Sequence, residues 1–517
     1  MDTFLNVVMG TKRWSAWTAW LGLLVIGLGA RAGAKRVIML PMPFESNIDY
    51  HDKVARALTK LGHEVWMTVP VNLAEKDRQG RDNLSVVLYD TPFDIEERTM
   101  PRLPERYFQG LSANYDELET IMKEHCERIL KNHTFFKTLQ HIRPDFVVID
   151  NLSLVYELAI LPYKLGVPFA FVGSSYDPIA QRVPFSPAVT PLPVFPYSDH
   201  MTFFQRVKNT VRFLRQCWTY KDAYEDAVAR FAPEKPNIPV DMLIARAEIW
   251  LVEMDHILDY PKPSLPNVKF IGGTVKGPAG PLPEEFKSFM DVASEGVVIV
   301  SLGKYVLSVP TEISDKLFEV FESLPMKVVF KSNLTSPNPA KIMTARWLPQ
   351  NDLLGHPNTK VFVSHCDKDG QYEALYHAVP VVATPLFYDQ PYNAERMRVK
   401  GLAEVLDLRT CTAGEMRAAV LKVARQPRYK QAIAAASRLF RQQFHLPVDV
   451  AARWLDHVMK YGGAYMRSAG QDLTMHEFLI FDVIAFLTVA FVLLFAGLVY
   501  AGLMVYRHVC CRKKKTE

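Results

Sequence analysis

Cysteine is scarce here: six residues in a chain of 517. None of the spacings reads as a zinc site or a disulfide framework. Cys126, Cys217, Cys366 and Cys411 are widely separated, and nothing in their spacing supports a Cys126–Cys217 bridge. Charge of one sign is also nearly absent. The formal net charge is +5, and part of that excess falls in the last residues, which argues against nucleic acid as a partner. No internal repeat and no low-complexity tract stands out. Charged residues make up 22% and hydrophobic residues 49%, the balance of folded globular protein rather than disorder. The length exceeds what one core serves, so two or three domains are expected.

Long apolar runs occur only at the two ends. Lys12 and Arg13 precede an apolar stretch from Trp14 to Leu28, and small residues follow at Ala30, Ala32 and Ala34. This reads as a secretory signal peptide over residues 1–34, with a retained signal anchor as the alternative. Val483 to Tyr506 carries no charge and is long enough to cross a bilayer. Arg507, Arg512, Lys513, Lys514 and Lys515 follow, and positive flanks mark the cytosolic side. The large N-terminal portion is therefore expected in the lumen, with residues 507–517 as a cytosolic basic tail. Cys510 and Cys511 in that tail are candidates for palmitoylation. Glycosylation sequons occur at Asn83, Asn132, Asn151 and Asn333. That at Asn151 is expected to go unused because it adjoins a candidate catalytic residue.

Between the ends, short apolar strands alternate with helical patterns. Arg36–Pro41 reads as a strand, Glu45–Asp49 as a polar loop, and Tyr50–Leu61 as a helix closed by Gly62. Val65–Val69 is the next strand, and strand–helix–strand at this spacing is a parallel crossover. Further strands are expected at Phe146–Ile149, Phe169–Val172 and Val268–Ile271. Helical segments run from Asn114 to Lys131 and from Phe203 to Phe231. Val183–Tyr197 is proline-rich and aperiodic, a surface loop over a cleft. Gly272–Glu284 is a Gly/Pro linker. A second series follows at Val297–Leu302, Lys327–Phe330, Val361–Val363, Val381–Thr384 and Ala403–Leu406. Helices from Ala413 to Phe444 complete it.

The densest stretch is Trp347–Asn393. Strands Val361–Val363 and Val381–Thr384 flank a helix expected near Gln371–His377. Ligands of such folds sit beyond the carboxyl ends of the strands. Here those ends carry His365–Gly370 and Phe387–Gln390. The order W-x-P-Q-x-D-L-L-x-H-P, then S-H, then E, then P-x-x-x-D-Q closely resembles the signature of the UDP-glycosyltransferases. More narrowly, it resembles the animal membrane-bound UDP-glucuronosyltransferases.

That resemblance implies an α/β GT-B fold: two doubly wound Rossmann-like domains facing a cleft, plus one C-terminal transmembrane helix. The acceptor domain would cover 35–275 and the UDP-sugar domain 276–445. Residues 446–482 would return to the N-terminal domain, Val448–Met459 supplying the helix, and 483–506 would span the membrane. It implies that Trp347 stacks on uracil, Gln350 bonds the nucleoside, and Glu373 accepts from the ribose hydroxyls. Asp389 and Gln390 would bond the sugar, while His365 and Gly370 would face the diphosphate at a helix N-terminus. Developing negative charge on the leaving UDP would be met there, so no metal and no cofactor is expected; UDP-sugar is a co-substrate. Asp367-Lys368-Asp369 matches a metal-binding D-x-D by letter only. Expected partners are the UDP-sugar, a small lipophilic acceptor, the membrane and a homo- or hetero-oligomer. Lys514-Lys515 near the end resembles a dilysine signal for the endoplasmic reticulum.

The chain departs from the resembling pattern in two places. The family's phosphate loop reads H-G-G-x-N-G, and here it is His365-Cys366-Asp367-Lys368-Asp369-Gly370. Two carboxylates have arrived where charge repulsion would oppose a diphosphate. Lys368, and Lys304 in Ser301-Leu302-Gly303-Lys304, are candidates to compensate. The alternative is that these side chains point into solvent. Second, the family's general-base histidine should follow Ser46, but that position holds Asn47. Its partner aspartate matches Asp150. A carboxamide takes up no proton at neutral pH. Three readings stand: Asp150 acts alone or through water; His51 substitutes, unless it is a surface helix residue; or the acceptor needs little deprotonation, as amines and phenols do. The leading function is an inverting transferase moving glucuronate or glucose from its UDP-sugar to a lipophilic acceptor. The rival is a catalytically impaired, membrane-anchored binding partner.

Overall fold

The computed structural model describes residues 33–76, 84–111, 115–222, 226–273, 277–442 and 446–513. The expected signal segment up to residue 32, the Asn83 sequon, part of the linker and the Lys514-Lys515 signal lie outside them.

Seven strands form the first sheet: β1 (Arg36–Leu40), β2 (Glu64–Pro70), β3 (Ser85–Tyr89), β4 (Phe146–Asp150), β5 (Phe169–Gly173), β6 (Trp250–Val252) and β7 (Val268–Phe270). Their spatial order is β3-β2-β1-β4-β5-β6-β7, and every pairing is parallel. Six strands form the second: β8 (Val297–Ser301), β9 (Lys327–Lys331), β10 (Ile342–Ala345), β11 (Thr359–Ser364), β12 (Val381–Ala383) and β13 (Ala403–Val405). Their order is β10-β9-β8-β11-β12-β13, again all parallel. Central strands such as β4 and β8 are buried along their whole length, because helices cover both faces. Apolar runs without polar alternation are what that environment selects.

Each sheet reverses its strand order once, between β1 and β4 and between β8 and β11. Such switch points leave a crevice at the carboxyl ends of the strands. The strands missed in the sequence, β3, β6 and β10, lie at or near sheet edges and are short or partly exposed, so their apolar signal is weak.

Two helix starts differ from expectation. The supposed loop Glu45–Asp49 is the first turn of a helix running Glu45–Lys60. The helix after β11 begins at Lys368, three residues before the position read from periodicity, and runs to Tyr376. Polar residues hide a helix start when their partners lie elsewhere in the chain. Glu96 accepts the Glu45 N–H at 2.8 Å, a cap no local pattern announces. The Phe203–Phe231 segment divides into helices Phe203–Asp222 and Ala227–Phe231.

The helix Pro447–Tyr461 returns to the first sheet. Ala451, Ala452, Leu455 and Val458 pack in one buried cluster with Val54, Ala55 and Leu58. Asp456 meets His63 at 2.9 Å. The final helix, Phe481–Lys513, is long and apolar enough over Phe481–His508 to cross a membrane, and its apolar window is exposed among the described residues. Cys126, Cys217, Cys366 and Cys411 are buried free thiols.

Candidate active site

The two switch points face one another. A cleft of about 280 Å³ is lined by Ser46, Asn47 and Gly173 from the first half and by Asp367, Lys368, Asp369, Glu373 and Asp389 from the second. Asn47 and Asp150 are brought together. The Asn47 amide Nδ2 donates to Asp150 Oδ2 at 2.8 Å. The Met42 N–H reaches the same oxygen at 3.3 Å. Asp150 ends β4 almost fully buried. The carboxamide thus holds the aspartate as an imidazole N–H would, without a proton-accepting nitrogen on its far side.

His51 is completely buried, which overturns its reading as a surface residue. Its Nε2 lies 3.2 Å from the Val172 carbonyl and 3.5 Å from Asp150 Oδ2, under the cleft floor rather than in the cleft. Asn151 is equally buried, with its amide donating to Ser175 O and its carbonyl accepting from Tyr156, so the folded chain presents no glycan acceptor there.

On the opposite wall, the Asp367 carboxylate caps the helix Lys368–Tyr376 by accepting the Gly370 N–H at 3.1 Å. This is the N–H expected to face a diphosphate. A β-carbon at Gly370 would come within 2.6 Å of that carboxylate, so the glycine is needed for the chain's own cap. Asp367 Oδ2 lies 3.7 Å from His365 Nε2. Desolvation in the cleft raises the Asp367 carboxyl above its ordinary range, although 42% of the side-chain surface remains open. Asp369 and Asp389 push it the same way and His365 opposes them.

Cys366 adopts φ 63°, the left-handed region that glycine tolerates and a β-carbon resists, at a cost of about 1–2 kcal/mol. It stands where the resembling loop has glycine. Burial pushes its thiol up, so it is not a nucleophile at neutral pH. Gly303 (φ 100°), on the same loop cluster, is likewise constrained, since a β-carbon there would lie 2.5 Å from His365 Nε2.

Neither lysine is aimed at an open cradle. Lys368 pairs with Glu253, just beyond β6, and lies 3.5 Å from Asp369. Desolvation lowers its affinity for a proton, but Glu253 and Asp369 outweigh this and hold the ammonium well above its usual range. Lys304 pairs with Glu45 and, at 3.0 Å, with Glu96. It lines an adjoining cavity of about 1060 Å³ rather than the cleft itself. Both lysines therefore tie one half of the molecule to the other. Asp369 lies in the first turn of the same helix but is exposed beside Lys368, so of the two added acids Asp367 is the one that caps it.

Gln350 and Glu373 meet, Nε2 donating to Oε2 at 2.6 Å. Trp347 is 65% exposed and stands outside the cleft wall, a large apolar side chain with a free face. Asp389 accepts from Asn393 at 2.8 Å and lines the cleft. The Gln390 carbonyl oxygen is engaged by the Leu386 and Phe387 N–H groups at 2.9 and 3.1 Å, fixing the turn before it. Sequence reading missed Glu45, Glu96 and Glu253, which belong to no motif.

It also missed a buried network behind the loop. Arg396 donates to Asp259 at 3.0 Å and to Gln371 at 3.1 Å. Gln371 in turn donates to the Cys366 carbonyl at 2.9 Å. Lys262 donates to the same Asp259 at 2.9 Å. Asp259 stays charged, at about 2: desolvation opposes ionisation, but Lys262 and Arg396 outweigh it.

Residues 35–516 match the family described as UDP-glucoronosyl and UDP-glucosyl transferase. The chain is 28% identical to human UDP-glucuronosyltransferase 2B15 over 524 residues, covering 96% of this chain and 98% of that protein. It is 34% identical to UDP-glucuronosyltransferase 2B18 of Macaca fascicularis over 391 residues, 74% of each. Among solved structures, the glycotransferase of kitacinnamycin is similar at a TM-score of 0.59 and 20% identity, over 82% of this chain and 99% of that one. The glycosyltransferase VinC in complex with DTDP follows at 0.57 and 18%, over 83% and 100%. Two parallel sheets of Rossmann type about a common cleft are the GT-B arrangement, and with the match along nearly its whole length the chain belongs to the UDP-glucuronosyl and UDP-glucosyl transferase family.

Proposed function

We propose that this protein transfers a hexose or hexuronate, glucuronate or glucose, from a UDP-sugar to a small lipophilic acceptor, with inversion at the anomeric carbon. The observation that supports it most is the single cleft whose walls join Asn47, bonded to Asp150, with Glu373, bonded to Gln350, and Asp389. The acceptor heteroatom attacks the anomeric carbon as the bond to UDP breaks. Charge on the departing diphosphate is met by His365 and the N-terminal N–H groups of the Lys368–Tyr376 helix, with no metal in the scheme. The acceptor proton passes to Asp150 directly or through water. A carboxylate is a weak base for an alcohol, so amines and phenols suit this site better. Gln350, Glu373 and Trp347 hold the nucleoside, and Asp389 and Gln390 the sugar.

The Phe481–His508 stretch spans the membrane of the endoplasmic reticulum, with both sheets in the lumen, and lipophilic acceptors reach the site from that membrane. Full-length protein in membranes free of other transferases should release UDP from UDP-glucuronate or UDP-glucose only when an acceptor is present. A second reading, a binding or hetero-oligomer partner without turnover, is favoured by the Asp367 carboxylate on the Gly370 N–H. Calorimetry separates the two. UDP binding without turnover supports the partner, and no UDP binding at millimolar concentration sinks the transferase.

A further inference from the structure

Beyond the carboxyl ends of β4 and β5 lies a further cavity, of about 720 Å³, that the transfer scheme does not use. It adjoins the cleft. Ser174 lines the cleft and Ser175 lines the cavity, and the Asn151 amide fixes that partition by donating to the Ser175 carbonyl at 2.6 Å. Leu154, Tyr176, Ile179 and Leu192 give the cavity an apolar wall. Pro193 and Val194, from the proline-rich loop, stand exposed at its mouth.

One carboxylate inside it has no structural partner. Glu157 lines the cavity and is 4% exposed. It belongs to the 3-10 segment Ser153–Ala159, in which Val155, Tyr156 and Ala159 are wholly buried, so the segment cannot roll to carry it to the surface. No hydrogen bond or ion pair reaches its side chain among the described residues. Lys123, exposed on the helix Tyr115–Lys131, acts on it only through space. Burial pushes the carboxyl up to about 7, with Lys123, Arg230 and Lys131 opposing and Glu127 adding to the rise. A buried carboxylate without donors is costly. A cation that carries N–H groups would satisfy it.

The remaining charge points the same way. Asp116, Glu119 and Asp177 also line the cavity, against Lys123 as the one cation among its described lining residues. Asp177 serves its own turn, accepting the Ile179 and Ala180 N–H groups at 3.0 and 3.1 Å. An anion would meet four carboxylates. A metal ion would find no group of three ligands, since none occurs among the described residues. We propose that this cavity binds a small lipophilic amine, its ammonium donating to Glu157 and its hydrocarbon body lying against Leu154, Ile179 and Leu192. The volume suits such a ligand. The inference stands apart from the transferase reading, because binding is measured with no UDP-sugar present.

Full-length protein in phosphatidylcholine nanodiscs is titrated near neutral pH with phenylbutylamine and with phenylbutanol, which has the same body without the charge; empty nanodiscs are the blank. The amine is expected to bind about ten- to a hundredfold tighter than the alcohol, the worth of a charge-assisted hydrogen bond. Glu157→Gln should erase that preference, leave the affinity for the alcohol unchanged and not lower the melting temperature. Val194→Trp, which crowds the mouth from an exposed position, should weaken both ligands. Equal affinity for amine and alcohol in the native chain, binding of neither, or an amine preference that survives Glu157→Gln overturns the proposal. If Glu157→Gln fails to fold, Val194→Trp decides: loss of amine binding upholds the site, and unchanged amine binding overturns it.

Discussion

Two helices point their N-termini toward the cleft, and in each a carboxylate of the chain itself accepts an N–H: Glu96 at Glu45, and Asp367 at Gly370. The Glu96 cap is neutralised on the spot by Lys304, accepts from the Tyr305 hydroxyl and stabilises a helix start. The Asp367 cap sits where the resemblance puts the diphosphate, with Asp369 and Asp389 nearby and the His365 imidazole, 3.7 Å away, opposing them. The corners also differ in what substitution did. At Asn47, where the resemblance implies a histidine, a carboxamide without a proton acceptor makes the hydrogen bond to Asp150. At Asp367 a group was added that satisfies the helix end internally, so a ligand must compete with the protein's own anion. Deleting a function costs little structure, whereas adding a competitor can improve local structure at the expense of binding.

The comparison predicts graded outcomes. Asn47→His should raise kcat most, by about 10²–10⁴-fold, because a positioned base supplies that much. The gain should appear with a pH–rate inflection near the imidazole range. No gain would place the fault in the phosphate loop. Asp367→Asn keeps a good cap and removes the charge. Unit charges about 4 Å apart at an effective dielectric near 20 interact by about 4 kcal/mol, so UDP should bind up to about a thousandfold tighter by calorimetry. Unchanged affinity would show that the carboxylate turns away.

A third outcome follows from the raised Asp367 carboxyl. Folded protein keeps this proton to higher pH than unfolded protein does, so its stability contribution falls as pH climbs from the ordinary carboxylate value through the folded one. The protonated form carries no charge against a diphosphate. UDP affinity should weaken across the same window in the native chain and flatten in Asp367→Asn, measured by titration at constant ionic strength. The smallest effect belongs to Lys304→Met. Lys304 and Glu45 are more than half exposed, and the buried Glu96 keeps the Tyr305 hydroxyl and the Glu45 N–H as donors, so the loss should be about 1 kcal/mol and the melting temperature should fall by about 2–4 °C. A larger fall would mean that this lysine, rather than packing, holds the two halves together.

The second sheet was more legible than the site. Runs such as Val297–Leu302 and Val361–Val363 are buried on both faces and advertise themselves by composition. Short strands such as Trp250–Val252 do not, because three residues carry no period. At the site, Asp150, Glu373 and Asp389 were named from motif order, and the structure brings Asn47 to Asp150 and Gln350 to Glu373. Glu96 and Glu253 were invisible because their partners are 208 and 115 residues away and no local spacing records such a contact.

The sequence alone determined the alternation of strand and helix, the apolar C-terminal run, and the carboxamide in place of an ionisable group at Asn47, since each is a local property of residue type and order. Only the tertiary structure decided that Asp367 turns back onto its own helix, that Lys304 and Lys368 serve carboxylates across the cleft, and that His51 lies beneath the cleft floor. Those outcomes depend on which charge lies nearest in space, and that distance is set by how two sheets pack.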